Sequence, residues 1–474
     1  MKNIYEERAK DIFTSPAGRV ALGHYNPEHQ NYAFGKIPPS SHEGQMLPPT
    51  MAPLLIREAA QPAAASGSTL YIHIPFCNLH CTYCGFYKNS VQEQLVESYT
   101  QSLLQEIEFL EQQGVWQKRK FAALFFGGGT PSTLTPSQIT RILTSLQQKI
   151  SLTTNAEITF ESSIYDMSHE KFAACIHGGI NRFSFGIQTF NTDRRRSLGR
   201  PDPQAKLVEH LRSFAQADAR IIIDLIYGLP GQTEAELLED LRLALDCNIA
   251  GLDLYKLQIL PQSPLAEAIK KEKVIYDDSD QRLLALFRAS SNYLTQAGAQ
   301  QLSCCHWATK PEEMSLYNTL VKRGADIIAL GSGCGGRLGR YQFMKQPQTQ
   351  AYMEQVKKQS YPLMFLSRQN PVYLFLKGLS GQIDSGYLEL SRLAQFSPLP
   401  WSHLLRPLLD TWQQEGLLGF PQEGRYPFTT LGQYWCKQMN RVALFFVEYI
   451  LYGASTPQEK SAPPAAMTAM KNLR

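Results

Sequence analysis

From residue 69 to about residue 300 the chain repeats one pattern, a short β-rich run followed by an amphipathic helical stretch. The runs are YIHIPF (71–76), AALFFGG (122–128), EITFES (157–162), FSFGIQ (183–188), IIIDLIYG (221–228) and GLDLYKL (251–257). Stretches such as QEQLVESYTQSLLQEIEFLEQQG, PSQITRILTSLQQKI and TEAELLEDLRLALDC carry the 3.6-residue apolar period of helices that cover a sheet. Each β-then-α unit needs a right-handed crossover, so six in a row predict an α/β fold with a parallel sheet, a partial (βα)6 TIM-like barrel over 67–300. In such a barrel the chemistry sits at the C-terminal ends of the strands, where every polar motif described below falls.

The chain is too long for that barrel alone, and its flanks have a different texture. Residues 1–66 hold IPPSSHEGQMLPP and QPAAASGS without a sustained period, which predicts an irregular N-terminal extension. Residues 301–365 read as a connecting, substrate-covering region. Over 366–452, helical segments followed by GFPQEGRYPFTTLGQYW and a last helix predict a mostly helical, winged-helix-like C-terminal domain. Its best recognition-helix candidate has few basic side chains, so a packing or partner role is expected. The tail 453–474 reads as disordered.

Composition serves to exclude. A net charge of +4 without a continuous basic tract argues against nucleic acid, and the Arg194–Arg195–Arg196 triplet reads as a solvated helix face. No secretory signal and no run of about 18 apolar residues occurs, which predicts a cytoplasmic protein without a membrane span.

Three of the nine cysteines fall within eight positions, Cys77-Asn-Leu-His-Cys81-Thr-Tyr-Cys84, in the loop after the first strand. In a reducing compartment that spacing means metal ligation before disulfides. Three thiolates can hold an iron–sulfur cluster with one iron open; with His73 or His80 as a fourth ligand they can hold zinc. The spacing alone leaves both open. Cys175 and Cys247 lie on apolar helical patterns and read as buried small hydrophobes.

YIHIPFCNLHCTYCGF is followed in order by Gly127-Gly128-Gly129-Thr130-Pro131, Glu161, Ser184-Phe185-Gly186-Ile187-Gln188, Arg200 and Asp224-Leu-Ile-Tyr-Gly-Leu-Pro230. Over about residues 69–260 this set resembles the oxygen-independent coproporphyrinogen dehydrogenase-like (HemN-like) branch of the radical S-adenosylmethionine (SAM) superfamily. The resemblance implies one [4Fe-4S] cluster on Cys77, Cys81 and Cys84, whose open iron chelates SAM and drives its cleavage to methionine and a 5′-deoxyadenosyl radical. It implies SAM contacts from Tyr71, Phe86, Gly128, Gly129, Thr130, Glu161, Gln188, Arg200 and Asp224, with Gln188, Arg200 and Asp224 also bordering a second SAM. The residue types suit these tasks. Glycines admit close backbone approach, Thr130 can cap the following helix, Arg200 matches a carboxylate and the two acids match ammonium or hydroxyl groups. Taken singly, the glycines are a tight turn and the acids are helix caps; their order on successive units is what weighs.

The substrate is read from departures within the branch. The decarboxylase carries a fourth cysteine where this chain has Phe86, and the heme chaperone carries His-Asn-x-x-Tyr-Trp where this chain reads His306-Trp307-Ala-Thr. The N-terminal extension, CCHWATKPEEMSLYN and GCGGRLGRYQFM resemble the heme-utilization radical SAM methyltransferases (HutW/ChuW type). That resemblance implies heme as substrate, methylation and opening of the macrocycle to a linear tetrapyrrole (anaerobilin) with iron release, two SAM molecules and a flavodoxin-type electron donor. A coproporphyrinogen dehydrogenase-like enzyme and a heme chaperone are the alternatives. His306, Trp307, Tyr317, Arg337 and Tyr341 are the expected substrate contacts, His306 as an axial ligand or as a packed histidine; no residue is assigned a catalytic role. Gly331-Ser-Gly333-Cys334-Gly335-Gly336 scans as G-x-G-x-x-G, but no helix starts within it, and it reads as backbone packed on substrate or barrel.

Overall fold

The computed structural model describes residues 2–14, 24–26, 31–33, 44–63, 67–85 and 89–453. Six strands, β1 (Ser68–Ile74), β2 (Lys120–Gly128), β3 (Ser151–Ser162), β4 (Arg182–Gln188), β5 (Arg220–Tyr227) and β6 (Gly251–Lys256), pair in sequence order, all parallel. Helices α1 (Glu93–Gln112), α2 (Pro136–Lys149), α3 (His169–His177), α4 (Gln204–Phe214) and α5 (Glu234–Asp246) make the crossovers, and α6 (Asp280–Gln296) follows β6. All seven residues of β4 are buried, as expected for a central parallel strand covered on both faces. Two helices start at capping boxes, Thr135 with Gln138 and Thr233 with Glu236, which satisfy their first free N–H groups.

The sheet extends on both flanks of this core to thirteen strands. β7 (His306–Ala308) pairs antiparallel with β6. On the other side β8 (Asp326–Leu330) runs parallel to β1, and β9 (Gly335–Leu338), β10 (Tyr341–Lys345) and β11 (Leu363–Arg368) continue as an antiparallel meander. Residues 301–365 thus build sheet as well as connect. Their strands run only three to six residues, too short to show a period in sequence. β6 and β7 do not pair with β8, so the barrel is open on that side.

Residue Arg119 locks β8 in place. It lies 2.8 Å from Asp326 in a buried ion pair and also donates to the Ala59 carbonyl at 2.6 Å. A short helix, α7 (Leu316–Lys322), packs on the inner face of β1 and β2, its Tyr317 ring 4.9 Å from Phe125. The Glu157 carboxylate accepts the Leu316 and Tyr317 N–H groups, both at 3.0 Å, and so caps it.

The C-terminal region runs α8 (Tyr373–Asp384), short helices Leu390–Leu393 and Trp401–Leu404, α9 (Arg406–Gln414), a hairpin bridged at Leu418–Phe428 and Gln422–Arg425, and α10 (Cys436–Tyr452). Strand Tyr387–Leu388 pairs with Tyr426–Pro427 beside the hairpin, the order of a winged helix. Within 1–66 the described residues are more regular than the sequence predicts. Helix Lys2–Thr14 lies on α10, with Arg8 donating to the Ile450 and Leu451 carbonyls and Tyr449 to Asp11, and strand Gln45–Leu47 pairs with β11. A helix this short draws its stability from docking, which leaves a weak local signal. The arginine triplet also departs from expectation: Arg195 is fully buried, donating to the Asp202 carbonyl at 2.9 Å, and only Arg196 is solvated. Among the described residues no helix is long and apolar enough to cross a membrane.

Candidate active site

The C-terminal ends of β1 to β6 bring the sequence motifs together. Cys77 and Cys81 are buried and Cys84 is partly exposed in one loop after β1. That loop is backed by the segments after β4 and β6: Thr82 donates to the Leu198 carbonyl at 3.1 Å, and Leu265 donates to the Thr82 carbonyl at 2.8 Å. Burial pushes the Cys77 thiol up to about 11, against the Thr130 hydroxyl, which donates to its sulfur at 3.4 Å. Thr130 was expected to cap a helix; its side chain makes no cap, and Thr135 caps α2 instead.

The three glycines are required by contact. A β-carbon on Gly129 would lie 2.6 Å from the Phe76 carbonyl oxygen and 2.9 Å from the Cys77 sulfur, and one on Gly127 would lie 2.7 Å from Glu161 Oε2. Gly128 has φ +122°, which L side chains rarely adopt. Glu161, closing β3, therefore lies directly against the glycine turn.

Three carboxylates face the inner side of the sheet in a row. Glu161 is pushed up to about 8 by burial and by Asp224. Asp224, which accepts from Ser184 at 3.3 Å, is raised by burial and by Asp253, its cross-strand neighbour on β6. Such a row favours a cationic ligand, which would restore the charges that burial and mutual repulsion suppress. Arg200 links this face to the cysteine loop: Nη1 donates to the Gly186 carbonyl at 2.7 Å and Nη2 to the Tyr83 hydroxyl at 3.2 Å, while its buried Nε has no partner. Gln188 sits beside it at φ +69°, its amide folded over Gly186. Tyr71 and His73 share this face, hydroxyl and Nδ1 3.1 Å apart. His73 is thus turned to Tyr71, and among the described residues no three His, Cys, Asp or Glu side chains are gathered around a single-ion position.

The substrate candidates divide. His306 lies on the inner face with Nδ1 3.1 Å from Asp253 and Nε2 3.0 Å from Glu313. Burial opposes its charge, but the two carboxylates outweigh burial and hold it up to about 9. Arg182 holds Glu313 through a bidentate pair and down to about 2, so Asp253, His306, Glu313 and Arg182 form one buried chain. Tyr317 reaches the site through α7, its ring 6.5 Å from Tyr71. Trp307 points to the opposite face, buried in the core. Arg337 donates to the Ala325 carbonyl near the start of β8, and Tyr341 lies beyond it on β10; the structure brings neither to the cysteine loop. Phe86 lies outside the described residues. The second glycine cluster is backbone packed on the barrel: the Gly331 N–H is taken by Glu106 at 3.0 Å, and a β-carbon there would meet the Tyr99 hydroxyl at 2.4 Å.

At the open side of the barrel lies a cavity of about 430 Å³, walled by β6, the 302–306 turn, α7, the end of α8 and the start of α10. Asp253 and His306 line it, so it adjoins the carboxylate row.

Residues 71–244 match the radical SAM superfamily. An anaerobilin synthase of Escherichia coli O157:H7 is 34% identical over 377 residues, 77% of this chain and 83% of the relative. The chain belongs to the radical SAM superfamily. The heme chaperone HemW of Escherichia coli K12 is 33% identical over 279 residues, 57% of this chain and 70% of that protein. The coproporphyrinogen III oxidase HemN of Escherichia coli shares the fold, with a TM-score of 0.70, 23% identity and coverage of 82% of this chain and 92% of that structure. Radical SAM enzymes use a [4Fe-4S] cluster and SAM, and the side chains present fit both. Three thiols share one loop, a β-carbon at Gly129 would crowd the Cys77 sulfur, and the orphaned Arg200 Nε and the carboxylate row offer partners of the signs that the carboxylate and amino groups of an amino acid require.

Sequence reasoning missed Tyr83, Arg182, Asp253 and Glu313. Asp253 had a readable signal, because GLDLYKL repeats the inward-facing aspartate of IIIDLIYG on the adjacent strand. Arg182 and Glu313 stand 131 residues apart and had none.

Proposed function

We propose that this radical SAM enzyme degrades heme without oxygen, methylating and opening the macrocycle to a linear tetrapyrrole of the anaerobilin type with release of iron. One observation carries the reading. Similarity to the anaerobilin synthase extends over 377 residues, far past the matched segment 71–244 and further than the 279 residues shared with the heme chaperone of Escherichia coli K12.

In this reading Cys77, Cys81 and Cys84 hold the cluster. When bound, the cluster and SAM supply a 5′-deoxyadenosyl radical, and a second SAM supplies the added carbon. Glu161, directly against the glycine turn, would accept from the amino group of the first SAM, while Thr130 steadies Cys77 through its hydroxyl. Arg200 ties Tyr83 and β4 together, and its buried, unpartnered Nε would be available to a carboxylate. Gln188 and Asp224 would bind ribose hydroxyls, and Tyr71 and, by the family resemblance alone, Phe86 would contact SAM. The His306 imidazolium holds Asp253 in place beside Asp224. A flavodoxin-type protein supplies the electron.

The test is an anaerobic incubation of the cluster-loaded enzyme with heme, SAM and a reduced flavodoxin-type donor, followed by mass spectrometry of the tetrapyrrole. A ring-opened product with one added carbon is expected. SAM cleavage with unchanged heme absorbance would favour a carrier, and a product lacking the carbon would refute methyl transfer.

A further inference from the structure

The cavity at the open side of the barrel is lined by Lys322 of α7, Lys256 of β6 and Lys437 of α10, and by the imidazole of His306. Against these cations stand two lining carboxylates, Asp253 and Asp384. His306 is paired with Asp253, Lys322 with Asp384 and Lys256 with Asp280 outside the lining, so the basic groups of the lining outnumber its carboxylates by two. The remaining wall is aromatic and apolar: Tyr255 and Met314 stay 42% and 55% exposed there, beside Phe287 and Tyr434. A flat apolar ligand with an anionic edge matches this lining.

We propose that the cavity seats the propionate edge of the tetrapyrrole, and that Lys322 is the residue that recognises it. The proposal rests on the heme reading above. Lys322 Nζ lies 2.6 Å from Asp384 Oδ2, an ion pair that spans the cavity from α7 to the end of α8. Asp384 holds the ammonium until a propionate displaces it. Lys256, 2.9 Å from the Tyr434 hydroxyl and 3.4 Å from Asp280, holds the second propionate by the same exchange. Because Asp253 borders both the cavity and Asp224, a macrocycle anchored here extends toward the carboxylate row where SAM binds. Tyr317, on the α7 turn that precedes Lys322, packs against Tyr71 and Phe125 and fixes the height at which that ammonium enters.

The two halves of the Lys322–Asp384 pair give opposite predictions. Binding of zinc protoporphyrin IX to the cluster-loaded enzyme is measured by fluorescence anisotropy for the wild type, K322Q and D384N, with iron content as the check on folding. We expect K322Q to weaken binding about tenfold, the loss of one charge-assisted contact, and D384N to tighten it severalfold by removing the competitor. The dimethyl ester of the same porphyrin, which forfeits the contacts to both Lys322 and Lys256, should bind the wild type more weakly than the diacid binds K322Q, and should not distinguish the variants. Equal weakening by K322Q and D384N would mark the pair as a structural tie and overturn the proposal, as would an ester that binds like the diacid. A wild type that binds the porphyrin with these properties yet leaves heme intact would overturn the degradation reading and leave this site standing.

Discussion

Replacing His306 with Gln isolates the buried chain that runs from Asp253 through Glu313 to Arg182. In the folded protein His306 is held at about 9, against an ordinary value near 6.5. The imidazolium therefore adds stability that is fully present below pH 6.5 and is lost as pH rises through 9. The span of about 2.5 pH units is worth about 3 kcal/mol at 1.36 kcal/mol per unit. H306Q lacks this contribution at every pH, so the wild-type-minus-variant difference should shrink by about 3 kcal/mol between pH 6 and pH 10. Urea unfolding followed by tryptophan fluorescence at several pH values measures it. A difference that stays constant with pH would refute the reasoning. The same geometry bears on heme ligation: with both ring nitrogens facing carboxylates, His306 offers no lone pair to iron at neutral pH. The Soret band of bound heme should be the same in H306Q as in the wild type, and a shift to a form that has lost a histidine ligand would contradict the charge chain.

Three further outcomes are expected. G129A should push the Cys77 sulfur and the Phe76 carbonyl, lowering iron and sulfide per chain after anaerobic reconstitution and costing about 1–3 kcal/mol of stability. E161Q should weaken SAM binding about tenfold by calorimetry; the wild-type affinity should rise as pH passes about 8 and the carboxylate forms, and the variant should lose that rise. D326N leaves Arg119 buried without its counter-charge and should cost about 3–5 kcal/mol, with β8 amides gaining the most hydrogen exchange.

The parallel core was legible because each of its elements announces itself locally. β4 is a seven-residue run buried on both faces, and α2 and α5 begin at Thr-x-x-Gln and Thr-x-x-Glu boxes. The cysteine loop, the glycine turn and the acids at strand ends were legible for the same reason, since a barrel's topology converts order along the chain into neighbourhood at one rim. What escaped depends on contacts between distant segments. Arg337 and Tyr341 belong to a motif that looks functional in sequence, but the strand pairing Ile327–Arg337 carries them away from the rim. Helix α7 has seven residues and starts after Ser315 at φ +46°, so no period or cap betrays it; it forms because Glu157, midway along β3, accepts its first two N–H groups. This one helix carries Tyr317 to the inner face and Lys322 to the cavity. A segment unreadable in sequence thus joins the part of the site that was read to the part that was not, and substrate selection should depend on it more than on the cysteine loop.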